Sequence, residues 1–515
     1  MTWNEGYVTE IDYTRGYYRE LSPVLQTFAL LNKGFRAPTS PDLKYLELGF
    51  GHGLSLNVHA ASCSGEFWGT DFNPVQVSGA SEEAELWGTN ARLFDQSFSE
   101  FAARTDLPQF DFINLHGIWS WISSENQQTL IEIFRRHLKP GGVVYMSYNV
   151  LPGWAAAGPI SHLLRLHAGF AGDLSAPVTS RVDAAFQFAR EIHEAGGGYF
   201  HANPGMKARL DRLSSLDKVY LAHEHLNQHW HPMYFSDVAR LLEPAKLTFA
   251  ASAGLLEQVE ALQMTDSARK MLDNIEQTVF KESIRDYFVN QQFRRDLWTR
   301  GARKLTSAER SDALMAQRFV LLSDPSTIPM EVTRPLGKAT LEEAIYKPLI
   351  EQFAINRLPI SIAELVTKLR PHNIDAPKIH NAITILVGSG HLAPTQNDAA
   401  IDKVSRRCRN MNKYLCTTKQ NQLESAMLAS PVTGTAIKVS AIQRLCLQSR
   451  LSGRKKPHEW ADDINKALTA ANQSITKDGK AIEKPDELAA ELLSRATAFA
   501  DQHLPVLERL GVIPH

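Results

Sequence analysis

Three glycines spaced two apart close the first long apolar run, in Leu46-Glu-Leu-Gly-Phe-Gly-His-Gly53. Glycine at 49, 51 and 53 removes Cβ atoms where a backbone must turn sharply and let a ligand lie against it. The dinucleotide fingerprint G-x-G-x-x-G, which leads a pyrophosphate to a helix N-terminus, is not met, because Leu56 stands where its last glycine would fall. The E-x-G-x-G-x-G spacing suits a ligand with no phosphate that joins a sulfonium, an amino-acid end and an adenosine. Glu47 stands where a carboxylate can hold the ammonium end, directly or through water. Taken alone, the loop also reads as a tight strand-to-helix turn.

Asp71 ends the next apolar run, about twenty residues after the loop, where an acidic side chain can accept hydrogen bonds from both ribose hydroxyls. Asn73 is the better helix cap, which leaves Asp71 free for that role. Asp95, Gln96 and Ser97 end a third run and can meet the adenine edge with Phe98 against its face, or form a capped loop. His116 and Gly117 follow the fourth run, beneath the expected methionine part. Phe50 and Phe72 belong to the same cofactor side. The order of these features implies S-adenosyl-L-methionine as cofactor.

Methyl transfer from a sulfonium is an in-line displacement, so its rate comes from alignment and exclusion of water. An amine acceptor must also be neutral, and burial beside a sulfonium lowers its pKa. The expected signature is an aromatic rim, supplied by His116-Gly-Ile-Trp-Ser-Trp121 and Tyr145-Met-Ser-Tyr-Asn-Val-Leu-Pro-Gly-Trp154. Trp119, Trp121, Tyr148 and Trp154 can hold a cationic side chain by ring-face attraction, and Asn149 can accept from an amine. Taken singly, each ring reads rather as packing the insertion against the sheet. Asp12–Pro23 would form an N-terminal lid that brings Tyr17 and Tyr18 to the substrate. The run from His223 to Phe235 is rich in histidine, but it lacks HExxH and any acid at the spacing that would complete a site, so no metal is expected. His231 reads as a substrate-side polar group or proton acceptor, or as plain loop.

Strands must position these residues. Leu43–Leu48, Gly65–Thr70, Ala91–Phe94, Phe110–Leu115 and Val143–Tyr148 alternate with helical stretches at Leu54–Ala61, Pro74–Trp87 and a helix capped by Ser124 with Gln127 as its partner, stopping at Lys139-Pro-Gly-Gly142. This is an α/β pattern with a mostly parallel, seven-stranded, Rossmann-like sheet. The expected organisation is a core over 1–155, a helical insertion and possible dimerisation element over 156–218, completion of the core over 219–305 (strands at Lys246–Ala251 and Phe293–Thr299), and a helical C-terminal domain over 306–515. In that last part Leu341–Arg357, Ile360–Leu369 and Ala376–Gly388, followed by Gly390-His-Leu-Ala-Pro394, resemble a winged helix. Lys378 and His380 are too few polar readers for DNA, which favours a structural or oligomerisation role.

The chain has 515 residues, with 43% apolar and 22% charged side chains and a formal net charge of −1. Such a balance creates no field that would draw it onto nucleic acid or anionic lipid. Four cysteines, none in a CxxC pair, suit a reducing compartment. No signal peptide is evident between Met1 and Glu10, and no run reaches the ~18 apolar residues of a membrane span. A cytoplasmic location, no membrane insertion and no nucleic-acid partner are expected.

The motifs resemble those of bacterial class I methyltransferases with a methyltransferase regulatory domain, including the rickettsial outer-membrane-protein lysine methyltransferases. The resemblance rests on Glu47–Gly53, Asp71-Phe-Asn-Pro74, His116–Trp121, Tyr148–Trp154, His223–Phe235 and Arg285–Asn290 with Phe293–Asp296, between about residues 10 and 305. It implies a class I fold, an S-adenosyl-L-methionine donor, a helical dimerisation insertion and, in the lysine branch, a protein lysine as acceptor. Glu47, Gly49, Gly51, Gly53 and Asp71 match the cofactor motif position by position, and no strict catalytic base carries over. The expectation is a homodimer that methylates lysine on a protein. A small-molecule or glycan methyltransferase and a non-catalytic cofactor-binding regulator are the alternatives. A nucleic-acid methyltransferase is disfavoured, since no Asn/Asp-Pro-Pro-Tyr tetrapeptide follows the fourth run.

Overall fold

The computed structural model describes residues 3, 5–11, 15–40, 42–171, 175–356, 358–418, 423–477, 480–482 and 484–513, the Arg334 side chain excepted. Its main sheet contains β1 (Lys44–Leu48), β2 (Glu66–Asp71), β3 (Arg92–Asp95), β4 (Phe110–Leu115), β5 (Leu138–Leu151), β6 (Met233–Tyr234), β7 (Leu247–Ser252) and β8 (Phe293–Arg300). Seven strands follow the order 3-2-1-4-5-8-7, and the two-residue β6 pairs with the end of β5 as an eighth. Only β8 runs antiparallel to its neighbours. The mostly parallel α/β sheet expected from the sequence is therefore present.

Strands covered on both faces read as continuous apolar runs, and Phe110–Leu115 is buried throughout. Alternate side chains feed two cores. Tyr45, Phe112, Val143 and Tyr145 pack on one face, and Leu46, Ile113, Val144 and Met146 on the other. The flanking helices are α1 (Pro23–Asn32), α2 (Leu54–Ser62), α3 (Pro74–Trp87), α4 (Phe98–Ala102) and α5 (Ser124–His137). Asn73 caps α3 through Val75 N–H, and Pro74 fills its first position.

Two local expectations need correction. Ser123, not Ser124, caps α5 by accepting from Asn126 N–H at 3.2 Å, and the Gln127 amide donates to the Trp119 carbonyl at 3.0 Å instead of closing a capping box. The helix also ends at His137, because Leu138 is already extended and pairs with Phe110; the Lys139-Pro-Gly-Gly142 stretch lies inside β5, where the register shifts.

Between β5 and β6 the chain forms α6 (Gly158–Phe170), α7 (Val178–Glu194), α8 (Gly198–Ala202), α9 (Met206–Ser214) and α10 (Lys218–His225). They share a separate core that includes Leu164, Val182, Phe186 and Leu221, against which Val8 and Ile11 pack. Val8 N–H donates to Asn227 at 2.8 Å, and Glu10 pairs with Arg181 at 2.6 Å. The N-terminal segment thus straps the insertion to the sheet.

In the C-terminal part, Arg318–Leu321 pairs with Ile360–Ser361 and Leu392–Pro394, and helices Glu343–Ile355, Ile362–Leu369 and Ala376–Gly388 pack on them, a winged-helix-like arrangement. The helix that would read a DNA groove is instead buried from Ala382 to Val387, with Pro377, Lys378 and Asn381 left exposed. Ile379, Ile383 and Leu386 join the main core, Thr384 donates to Asn32 at 3.3 Å, and Arg19 donates to the Val387 carbonyl at 2.6 Å. Further on, Cys408 and Met411 pack against Leu54, Val58 and Trp87 of the sheet domain. No helix among the described residues is long and apolar enough to cross a membrane.

Behind β5, Arg294 is 2% exposed and meets Glu282 at 2.7 Å, Asp286 at 2.5 Å and Asp296 at 2.8 Å. Removing the cation of such a cluster leaves buried carboxylates facing one another, at a cost of about 3–5 kcal/mol. Arg294→Ala is expected to lower unfolding stability by about that amount in urea denaturation; a loss of under about 1 kcal/mol would show that the cluster holds nothing together.

Candidate active site

The strand order reverses around β1, which lies between β2 and β4, and this opens a crevice beyond the carboxyl ends of the strands. Glu47 sits near the end of β1, level with Gly69 and Asn114, and Asp71 ends β2 beside Asp95. A cavity of about 480 Å³ lies above them, roofed by the N-terminal segment and α10.

The loop after β1 is built from three left-handed glycines, with φ of 71° at Gly49, 58° at Gly51 and 69° at Gly53. They serve two purposes. A Cβ at Gly49 would lie 2.5 Å from Ile118 Cδ1 and one at Gly53 2.6 Å from Ala80 Cβ, so these two let the loop pack closely. A Cβ at Gly51 would meet nothing nearer than Gln76 Oε1 at 3.9 Å, and one at Gly117 nothing within 4 Å; both would project into open cavity. The space above Gly51 and Gly117 is thus kept free of side chains, as a ligand lying on the backbone requires.

Two carboxylates stand under this space. Asp71 is 5% exposed, and accepts from Gly51 N–H at 2.8 Å and from Asn73 N–H at 3.0 Å. Burial raises its pKa to about 6, and these two amides oppose the rise. An ionised carboxylate has about four acceptor sites, so two remain for a ligand. Glu47 is 4% exposed, and Tyr45 O–H donates to it at 3.1 Å. Burial pushes its pKa up to about 8, against the pull of that single hydrogen bond. Such an acid is stabilised in its charged form by a nearby cation.

His116 stacks on Tyr18 with ring centroids 3.9 Å apart, and its Nδ1 lies 2.8 Å from the Tyr145 hydroxyl. Burial, then the Arg295 charge, lowers its pKa to about 3, so it is neutral. Gly117 N–H donates to Ser147 at 2.8 Å. Ser97 caps α4 in a reciprocal pair with Glu100, and Phe98 beside it is buried. Phe72 is flanked by the Tyr7 and Trp3 rings, each 6.1 Å away. Trp154 lies edge-on to Trp230 at 5.0 Å and under the Arg209 guanidinium at 4.7 Å.

Glu47, Gly49, Phe50, Gly51, Gly53, Asp71, Phe72, Ser97, Phe98, His116, Gly117, Tyr18, Trp121, Asn149 and Trp154 all line this one cavity. Four residues assigned to the acceptor side do not. Trp119 is fully buried in the sheet core, since it opposes Trp121 across a short 3-10 turn. Tyr148 alternates with Asn149 along β5 and donates instead to Asp296 at 2.6 Å on the far face. Tyr17 alternates with Tyr18 in the same way: its hydroxyl lies 3.2 Å from His59 Nε2 and accepts from Ala436 N–H at 2.9 Å, against the C-terminal part. His231 is exposed in a loop, where its N–H donates to the Ser120 carbonyl at 2.8 Å. Residues 12–14 of the expected lid lie outside the described residues.

Sequence reasoning missed Tyr7, Asn126, Tyr220, Glu224, Gln292 and Phe293, which also line the cavity. They come from the N-terminal segment, α5, α10, and the start of β8 with the residue before it, so only tertiary folding unites them. Glu224 lies within the histidine-rich run, whose composition points to metal ligands rather than to a lone carboxylate. His223 lines the cavity, whereas His225 turns into the insertion, with Nδ1 3.0 Å from Ser161 Oγ.

Residues 46–142 match the model of a methyltransferase domain, and residues 217–300 that of a predicted methyltransferase regulatory domain. The uncharacterized protein sll1526 of Synechocystis sp. is 37% identical over 516 residues, covering 99% of this chain and all of that one. The chain belongs to the S-adenosylmethionine-dependent methyltransferases with a regulatory domain. The uncharacterized protein RP789 of Rickettsia prowazekii is 22% identical and covers 96% of this methyltransferase and 92% of its own length. PKMT2 from Rickettsia typhi, solved in complex with AdoHcy, superposes with a TM-score of 0.69 at 17% identity, over 97% of this chain and 99% of its own. The fold is therefore shared from end to end.

Asp71 both fixes the glycine loop and faces the cavity of this methyltransferase. A hydrogen bond to a charged group contributes about 1.5–3 kcal/mol. Asp71→Ala is therefore expected to weaken S-adenosylhomocysteine binding at least about tenfold by calorimetry; unchanged affinity would remove Asp71 from the site.

Proposed function

We propose that this methyltransferase acts on lysine amines of a protein. The observation that carries the reading is the aromatic lining beyond the strand ends, where Tyr7, Tyr18, Trp121, Trp154, Tyr220 and Phe293 surround one cavity. Ring faces attract a cation, and the long apolar stem of lysine packs along them. The motif resemblance to rickettsial lysine methyltransferases supports the same acceptor. So does the helical insertion that roofs the site, because an extended substrate needs a surface to grip.

S-adenosylmethionine, when bound, supplies an electrophilic methyl group on a sulfonium. Glu47 would face its ammonium end, Asp71 its ribose hydroxyls, and Ser97 and Phe98 its adenine, with the backbone at Gly51 and Gly117 leaving room. Neutral His116, fixed between Tyr18 and Tyr145, adds no competing positive charge. Asn149, which lines the cavity, would accept a hydrogen bond from the substrate amine. The aromatic walls exclude water, which favours the neutral amine over the ammonium.

Acceptor identity is tested by incubating the enzyme with S-adenosylmethionine and proteins of its source cell, followed by peptide mass spectrometry. Methyl-lysine is the expected product, and turnover of a metabolite or glycan without it would overturn the reading. Glu47 adds a pH prediction. The free protein keeps a proton on Glu47 up to about pH 8, and a neighbouring ammonium favours the ionised form. Binding at pH 7 must then release most of one proton, and affinity must rise with pH toward 8. Calorimetry of S-adenosylhomocysteine binding in buffers of different ionisation enthalpy measures this, with Glu47→Gln abolishing the release; no release by the wild type would contradict the role of Glu47.

A further inference from the structure

A lysine arrives as an ammonium ion, and must be told from an apolar side chain of equal length before it gives up a proton. Among the described residues, the lining of the cavity contains no lysine or arginine, but four carboxylates: Glu5, Glu47, Asp71 and Glu224. Three have partners within the protein. Glu5 accepts from Asn126, Glu47 from Tyr45, and Asp71 from two backbone amides. Glu224, on α10, has no hydrogen-bond or ion-pair partner among the described residues.

Its surroundings are aromatic. Tyr220 precedes it by one turn on α10, with His223 alongside, and Tyr7 and Tyr18 approach from the N-terminal segment. Glu224 lines the same cavity as Tyr7 and Tyr220, and its charge adds to burial in raising the pKa of both hydroxyls. The sheet contributes Glu47 and Asp71 to the same cavity, and neither is a cation that could neutralise Glu224. A carboxylate without a cationic partner in an aromatic-lined cavity attracts an ammonium group.

The geometry points to Glu224 as the anion that receives the substrate ammonium and accepts its proton, an inference that rests on the protein-lysine reading. In that step an N–H bond of the ammonium breaks, the proton passes to a Glu224 carboxylate oxygen, and the electron pair stays on nitrogen as the lone pair that attacks the methyl group. The carboxylic acid then returns its proton to water as product leaves. Burial lifts Glu224 to about 7, so it can exist in both forms near neutral pH.

The test uses full-length protein saturated with S-adenosylhomocysteine. It is titrated with acetyl-Ala-Lys-Ala-amide and with the same peptide carrying norleucine, and binding is followed by tryptophan fluorescence from pH 6 to 9. Wild type is expected to prefer the lysine peptide, and to lose that preference as pH falls below about 7. Glu224→Gln should lose about tenfold or more of the preference, and its pH dependence, with S-adenosylhomocysteine affinity unchanged. Glu224→Asp, which keeps the charge on a shorter arm, should retain part of the preference. Full preference in Glu224→Gln, with cofactor affinity intact, would overturn the inference and leave the protein-lysine reading standing. Should Glu224→Gln fail to bind cofactor, an unaltered preference in Glu224→Asp would overturn it instead. A wild type with no preference for lysine would overturn the protein-lysine reading itself and this inference with it.

Discussion

Two carboxylates are held out of water at the carboxyl edge of a parallel sheet, and the rest of the structure is arranged around them. A buried charge is unfavourable unless hydrogen bonds or an opposite charge compensate it. Asp71 receives two backbone amides, one of them from the glycine loop, while Glu47 receives only the Tyr45 hydroxyl. We propose that the cationic end of S-adenosylmethionine brings the compensation that Glu47 lacks. Parallel pairing sets where both acids stand, since the register of β1 with β2 and β4 places Glu47 and Asp71 on the same edge.

A second set of buried acids shows the contrast. Glu282, Asp286 and Asp296 converge on Arg294, and Arg295 pairs with Glu20 at 2.9 Å and Glu257 at 2.7 Å. These groups are paired inside the protein and tie β8 to the helix Thr278–Val289, the N-terminal segment and the residues after β7. The regulatory-domain region thus does structural work on one face of β5 and, through Gln292 and Phe293, reaches the cavity on the other. The N-terminal segment is the other bridge, with Tyr7 and Tyr18 over the cavity and Val8 and Ile11 in the core of the insertion.

What could be read from the sequence was whatever one segment decides alone. The glycine loop, Asp71 at a strand end, the Asn73-Pro74 cap and the extents of α3 and β4 are local chemistry, and the residues say so directly. Trp119, Tyr148 and Tyr17 were misassigned because an aromatic motif does not tell which of two adjacent rings faces a cavity. Along an extended segment one step changes the side, so Tyr18 and Asn149 face the site while Tyr17 and Tyr148 turn away. Tyr7, Glu224 and Phe293 escaped for another reason: they lie far apart in the chain, and the roof they form exists only after the insertion has packed back onto the sheet.

We propose that the paired strand ends and the bare glycine backbone hold the methyl donor in one orientation. A crystal structure with S-adenosylhomocysteine bound tests it most directly. The expected arrangement has the amino-acid end at Glu47, the ribose hydroxyls on Asp71 and the sulfur facing the aromatic part of the cavity. A ligand bound elsewhere, or one reversed so that its ribose lies at Glu47, would contradict it.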